Sequence, residues 1–219
     1  MTKGQTLNWL SNKLEKSSIC DLYIFTIKQW NRNRENLIEE LKIFFDKKKV
    51  IIRSSALNED GKSNSLAGVF ESVKDIQIKN SDIFSSDVKK VIDSYGKNCD
   101  LSNEILVQSM VPNVSMSGVV FTHELNYGSP YYVINYDDIS GLTDTVTSGD
   151  GTYSNRTLYV HRHSIDKLHS DRFRKLLQAV QELEYVLGNQ FLDIEFALGV
   201  DLKTHLLQVR KITTQMNWN

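Results

Sequence analysis

Residues able to do chemistry fall in two stretches. The first is Arg53-Ser-Ser-Ala-Leu-Asn-Glu-Asp-Gly-Lys-Ser-Asn-Ser-Leu-Ala-Gly68. A β-branched run, Val50-Ile51-Ile52, delivers an arginine and two serines to its end. Small and polar residues follow, with Gly61 and Gly68 bracketing Ser63 and Ser65. Small side chains let backbone N–H groups approach an anion, and a guanidinium offers phosphate oxygens a fixed fork. The same stretch also reads as an ordinary polar turn.

The second stretch pairs Asp193-Ile-Glu195-Phe-Ala197 with Leu206-Leu-Gln208-Val-Arg210. Side chains two apart in a strand share a face. If the two strands form a hairpin, Glu195, Gln208 and Arg210 point into one cleft. A carboxylate and an amide oxygen are hard donors suited to Mg²⁺. A neighbouring arginine would hold phosphates bridged by that ion. The competing reading is a solvated strand face carrying a Glu195–Arg210 pair, worth at most about 1 kcal/mol.

Several elements must position these groups. Helices are expected at 5–16, 34–48, 85–97 and 169–187. In the second, Leu37, Ile38, Leu41, Phe44 and Phe45 fall at helical spacing, and the basic run Lys47 to Lys49 suits its C-terminus. In the last, Phe173, Leu176, Leu177, Val180, Leu183 and Leu187 make an apolar stripe. Strands are expected at 50–52, 69–79, 104–110, 117–122, 131–136, 192–198 and 205–210. Residues 137–155, rich in Gly, Asp, Ser and Thr, read as a long functional loop. His161 and His163 alternate on an expected strand and read as surface polar residues. The class is α+β, with Pro112 marking a boundary between lobes at 1–111 and 112–219.

The 219 residues suffice for one large domain or two small lobes, and 40 % are apolar. A net charge of −1 gives no global reason to expect nucleic acid or an anionic membrane as partner. Cys20 and Cys99 are the two cysteines, with neither zinc nor disulfide-framework spacing. MTKGQTLNWL lacks a signal-peptide core, and every apolar run is far short of the about 20 residues a membrane span needs. A cytoplasmic protein is the expectation.

Taken in order, these stretches resemble the family of phosphoenolpyruvate synthase, pyruvate phosphate dikinase and rifampin phosphotransferase. Arg53 to Ser72 is similar to its RSSA…ED…SFAG…(T/S) segment without a gap. Val107-Gln-Ser-Met-Val111 resembles "VQ.MV", and Ser117-Gly-Val-Val-Phe-Thr122 resembles "SGV.FT". Gly141-Leu-Thr-Asp144 with Gly149 resembles "GLGE….G". Asp193 to Ala197 resembles "DIEWA", and Leu207 to Arg210 resembles "(V/L)QxR". Lys3-Gly4 with Leu7 and Leu10 is similar to the tail of "GGK…L..L". The resemblance covers about residues 50 to 213. Asp144 stands where Glu is usual, Val69 where Gln is common, and Lys211 where Pro often follows the arginine. The wording Ser-Leu-Ala-Gly/Val-Phe-Glu-Ser is most similar to the glutamine-phosphorylating branch of the family.

The resemblance implies an ATP-grasp-type fold with two lobes and ATP between them, and ATP with Mg²⁺ as cofactors. Lys3, Arg53, Ser65 and Gly68 would contact phosphates, and the backbone of Gln108, Ser109 and Met110 would meet the adenine. Asp144 would lie near the sugar or metal. Glu195 and Gln208 would hold Mg²⁺, and Arg210, with Arg53, would stabilise phosphate charge. Family members pass phosphate through a histidine in a motif like "G(G/S)xxSH". Here His123, His161, His163, His169 and His205 all sit in other contexts. A phosphohistidine swivel domain and an acceptor-binding domain are therefore the expected partners. The expected function is an ATP-dependent phosphotransferase, with a rifampin-phosphotransferase-like or dikinase domain as an alternative. A nucleotide-sensing module is the alternative from another class.

Overall fold

The computed structural model describes residues 1–56, 71–143, 146 and 155–212. The chain divides into two compact units, one of Met1–Asn8 with Cys20–Met110, the other of Trp9–Ile19 with Val111–Asn219. A first helix, α1, spans Lys3–Leu10.

In the first unit the sequence forms β2 (Leu22–Thr26), α2 (Ile27–Phe45), β3 (Val50–Ser55), β4 (Ser72–Ile76), α3 (Ser81–Asp93) and β5 (Glu104–Ser109). The strands make an antiparallel sheet in the order β2-β5-β3-β4. One face carries Phe25, Val50, Ile52, Ile105 and Val107. These bury against Trp30, Leu41 and Phe45 of α2 and Phe84, Val88 and Val91 of α3. Burying such side chains contributes about 1.5–3 kcal/mol each. Helix α2 starts seven residues before its expected beginning at 34. Thr26 caps it, with Gln29 completing a capping box, but Asn33 is non-helical (φ −148°, ψ 43°). That break disguises the first turns in the polar run after Trp30.

In the second unit lie β1 (Ser17–Ser18), β6 (Val114–Phe121), β7 (Tyr131–Asp137), β8 (Arg156–His161), α4 (Asp171–Leu187), β9 (Leu192–Gly199) and β10 (Thr204–Lys211). Their sheet has the order β1-β10-β9-β6-β7-β8. It is antiparallel except that β1 runs parallel to β10. Helix α4 buries Phe173, Leu176, Leu177, Val180 and Leu183 and covers the face bearing Tyr132 and Tyr136. The Tyr136 and Phe173 rings lie 5.1 Å apart. Gly188 ends α4 in the left-handed region (φ +58°) that glycine favours.

The expected helix at 5–16 stops at Leu10, and the chain then turns to place Ser17 and Ser18 beside β10. Glu182 of α4 anchors this segment by accepting the backbone N–H groups of Glu15 (2.8 Å) and Lys16 (3.0 Å). His163 is not on a strand: β8 ends at His161, and a 3-10 turn runs from Arg162 to Lys167. Among the described residues no helix is long and apolar enough to cross a membrane.

Candidate functional site

In the second unit, β9 and β10 form the expected hairpin, and their register builds a polar row. Gln208 lies directly opposite Glu195, and Arg210 opposite Asp193. Cross-strand partners share a face, so all four side chains point the same way. A β-bulge makes this so. Leu206 pairs with Phe196, the next pair is Gln208 with Glu195, and Leu207 is the extra residue. In a regular strand Leu206, Gln208 and Arg210 would share one face. Here Leu206 turns to the α4 side with Phe196, while Gln208 and Arg210 turn to the other.

Arg210 Nε donates to Asp193 Oδ2 at 2.7 Å. Asp193, directly opposite across the strands, is thus an ion-pair partner of Arg210. Asp193 is a site residue that sequence reasoning did not assign. Its signal was present, since it alternates with Glu195. The next strand, β6, sets Val119 beside Glu195 and Ser117 beside Ala197. Ser117 Oγ donates to the Leu142 carbonyl at 2.5 Å, which brings the Gly141–Thr143 stretch to this face. Asp144 lies outside the described residues.

The start of β9 is clamped. Thr122 Oγ1 accepts from Leu192 N at 2.8 Å, and Thr122 N donates to the Leu192 carbonyl at 3.0 Å. Arg162 donates to the Thr122 carbonyl at 2.9 Å and grips the buried Glu184 carboxylate at 2.7 and 3.0 Å. Tyr132 Oη donates to the same carboxylate at 2.9 Å. Buried charges persist when so paired and hydrogen-bonded. The network fixes the strand that carries Asp193 and Glu195.

Glu195 and Gln208 supply hard oxygen donors that fit Mg²⁺. Among the described residues, no group of three or more His, Cys, Asp and Glu is placed to hold a metal ion. A two-residue set suits an ion that takes its remaining ligands from phosphates and water.

In the first unit, Arg53 pairs with Leu106 and Ser72, on the sheet face opposite the core. Gln108, two residues from Leu106 along β5, shares that face. Strand β3 is pinned just past Arg53: Ser55 N donates to Tyr95 Oη at 2.8 Å, and Tyr95 Oη donates to the Glu104 carbonyl at 2.6 Å. Lys3 opens α1, and its neighbour Gly4 donates its N–H to Ser55 Oγ at 2.9 Å. A Cβ at Gly4 would come within 2.9 Å of Ile24 and 3.2 Å of Ser55 Oγ, so glycine permits the approach. Thr2 and Gln5 fasten this end to Glu104, both at 2.6 Å.

Ser109 N donates to the Asp21 carbonyl (2.8 Å) and Met110 N to the Lys49 carbonyl (2.9 Å). Those two N–H groups are thus engaged by carbonyls just outside the ends of β2 and β3. Met110 Sδ accepts from Asp75 N at 3.3 Å. Ser65 and Gly68 lie outside the described residues. Lys74, which sequence reasoning passed over, follows Ser72 at strand spacing on Arg53's side of the sheet. Burial, then the Arg53 charge, lowers its ammonium pKa, with Asp75 acting against them.

No protein-family model matches the sequence, and no curated protein matches it. Solved structures do. D-alanine-D-alanine ligase from Helicobacter pylori matches with a TM-score of 0.54 at 12 % identity, over 98 % of this chain and 54 % of that one. D-alanyl-alanine synthetase A from Vibrio cholerae matches with a TM-score of 0.53 at 14 % identity, over 98 % and 55 %. The fold is of the ATP-grasp type. D-cycloserine synthetase DcsG matches with a TM-score of 0.52 at 9 % identity, over 97 % of this chain and 63 % of that one. The chain thus spans just over half the length of these ATP-grasp structures.

Proposed function

We propose that this chain binds Mg·ATP and is the nucleotide-binding part of a phosphotransferase of the phosphoenolpyruvate synthase type. It phosphorylates a histidine on a separate swivel domain, which passes the group to an acceptor held by a further domain. The acceptor is L-glutamine, as in the L-glutamine kinase of bacterial capsular phosphoramidate synthesis: ATP, L-glutamine and water give L-glutamine phosphate, AMP and phosphate. The observation that carries this reading is the double row in which Glu195 faces Gln208 and Asp193 faces Arg210. The ordered motifs from Arg53 to Arg210 support it.

Glu195 and Gln208 would hold Mg²⁺, which when bound neutralises phosphate charge and orients the transferred group. Arg210, fixed by Asp193, presents its guanidinium at the edge of that row. In the first unit, Arg53 and Lys3 are cations of the kind that grip phosphate oxygens. Phosphoryl transfer depends mainly on such positioning and charge stabilisation.

Calorimetric titration of ATP with and without Mg²⁺ tests the reading. Mg·ATP should bind, raise the melting temperature by mass action, and outcompete GTP. Glu195→Gln keeps the side chain's size and removes its charge. Magnesium-dependent affinity should fall about tenfold, or about 1.4 kcal/mol. Wild-type affinity in that variant would sink the metal-ligand assignment. Tight nucleotide binding without phosphoryl transfer to a supplied swivel domain would favour a nucleotide-sensing module.

A further inference from the structure

We propose that Lys74 is a second cation for the polyphosphate chain of the nucleotide, acting beside Arg53; this rests on the nucleotide-binding reading above. Ile52 pairs with Val73 and Arg53 with Ser72, so Val73 faces the core while Ser72 and Lys74 face Arg53's side. Then the register shifts, and Val50 pairs with Ile76. The extra residue is accommodated by Asp75, whose φ of +59° is unusual for a non-glycine residue. Regular alternation would have turned Ile76 outward. The bulge keeps Ile76 in the core, 7 % exposed, and leaves Lys74 on the opposite face.

The Asp75 carboxylate meets Lys49 Nζ at 2.9 Å, and its backbone N–H meets Met110 Sδ. Lys74 therefore lies in sequence and space next to residues assigned to phosphate and to adenine. Two cations sharing a half-buried strand face repel each other and lose hydration. The lowered ammonium pKa of Lys74 records both effects. A polyphosphate carries negative charge that both cations can share. A guanidinium fork and a compact ammonium with three donors are complementary grips on adjacent phosphate groups.

ATP, AMP and adenosine, each with Mg²⁺, should be titrated into the full chain and into Lys74→Gln and Lys74→Arg. Lys74→Gln should weaken ATP about tenfold, AMP less, and adenosine not at all. Lys74→Arg should stay within a few-fold of wild type. The ligand-free melting temperature of Lys74→Gln should hold or rise, because a like-charge contact is gone. Equal losses for ATP and adenosine would reveal a structural role and overturn the proposal. Unchanged ATP affinity in Lys74→Gln would overturn it while leaving the nucleotide-binding reading intact. A wild-type chain that binds no ATP would overturn both.

Discussion

Asp193 and Arg210 face each other across β9 and β10, and the guanidinium Nε donates to the carboxylate at 2.7 Å. The Asp193 side chain is nearly buried, 8 % exposed, and that of Arg210 is 28 % exposed. The pair is more shielded than a surface salt bridge, so its loss should be measurable. Asp193→Asn should cost about 1–2 kcal/mol of stability without ligand, the range for a hydrogen bond to a charged group with partial solvent access. A double-mutant cycle with Arg210→Met, read by urea denaturation, should give a coupling of about 1 kcal/mol. Coupling near zero would mean that the carboxylate does not fix the arginine.

The bulge at Leu207 permits a test of register. Deleting Leu207 joins Leu206 to Gln208 in regular alternation and leaves Gln208 opposite Glu195. That variant should fold and keep Mg·ATP binding to within a few-fold. Deleting Val209 instead swings Arg210 to the side packed by α4. An unpaired charge there should cost several kcal/mol, seen as loss of the cooperative thermal transition. Equal tolerance of both deletions would contradict the face assignment.

Stability should fall on mild acidification. Burial, then the Arg162 guanidinium, holds the His123 imidazole pKa down, with the Gln190 carbonyl acting against them. Burial, then Lys203, lowers that of His205, opposed by Asp201. The unfolded chain, with histidine titrating near pH 6.5, therefore takes up protons before the folded one does. The contribution of these groups is complete above about pH 6.5 and is lost as pH drops through the lower folded values. Urea midpoints at pH 7.5 and 5.5 should separate more in wild type than in His123→Gln/His205→Gln. An identical separation would remove these histidines from the account.

Much of this arrangement was legible in the sequence where simple periodicity held. The Asp193-Ile-Glu195 alternation placed both carboxylates on one face, and the stripe from Phe173 to Leu183 located α4 closely. Periodicity failed where one residue was inserted into a strand. Strict alternation put Leu206 with Gln208, and it gave no reason to see Lys74 and Ile76 on opposite faces. A bulge has no local sequence signature at Leu207. At β4 the left-handed residue is an aspartate rather than a glycine. The early start of α2 was hidden by the break at Asn33, which interrupts the helical spacing of its apolar residues. Pairing partners far apart in sequence, such as Arg210 with Asp193, follow from register alone.

The two-residue strand β1 has a consequence for dissecting the protein. Ser17 and Ser18 cover one margin of the six-stranded sheet by pairing with Thr204 and His205, and Ser18 Oγ meets His205 Nδ1 at 3.0 Å. A fragment beginning at residue 111 would contain every other strand of that sheet yet lack this cover. Its last strand would present unpaired N–H and C=O groups, a template on which a second copy can add itself. Cutting this polypeptide at Pro112 would thus uncover the Thr204–His205 end of that margin, and self-association would follow from the cut rather than from any native oligomeric design.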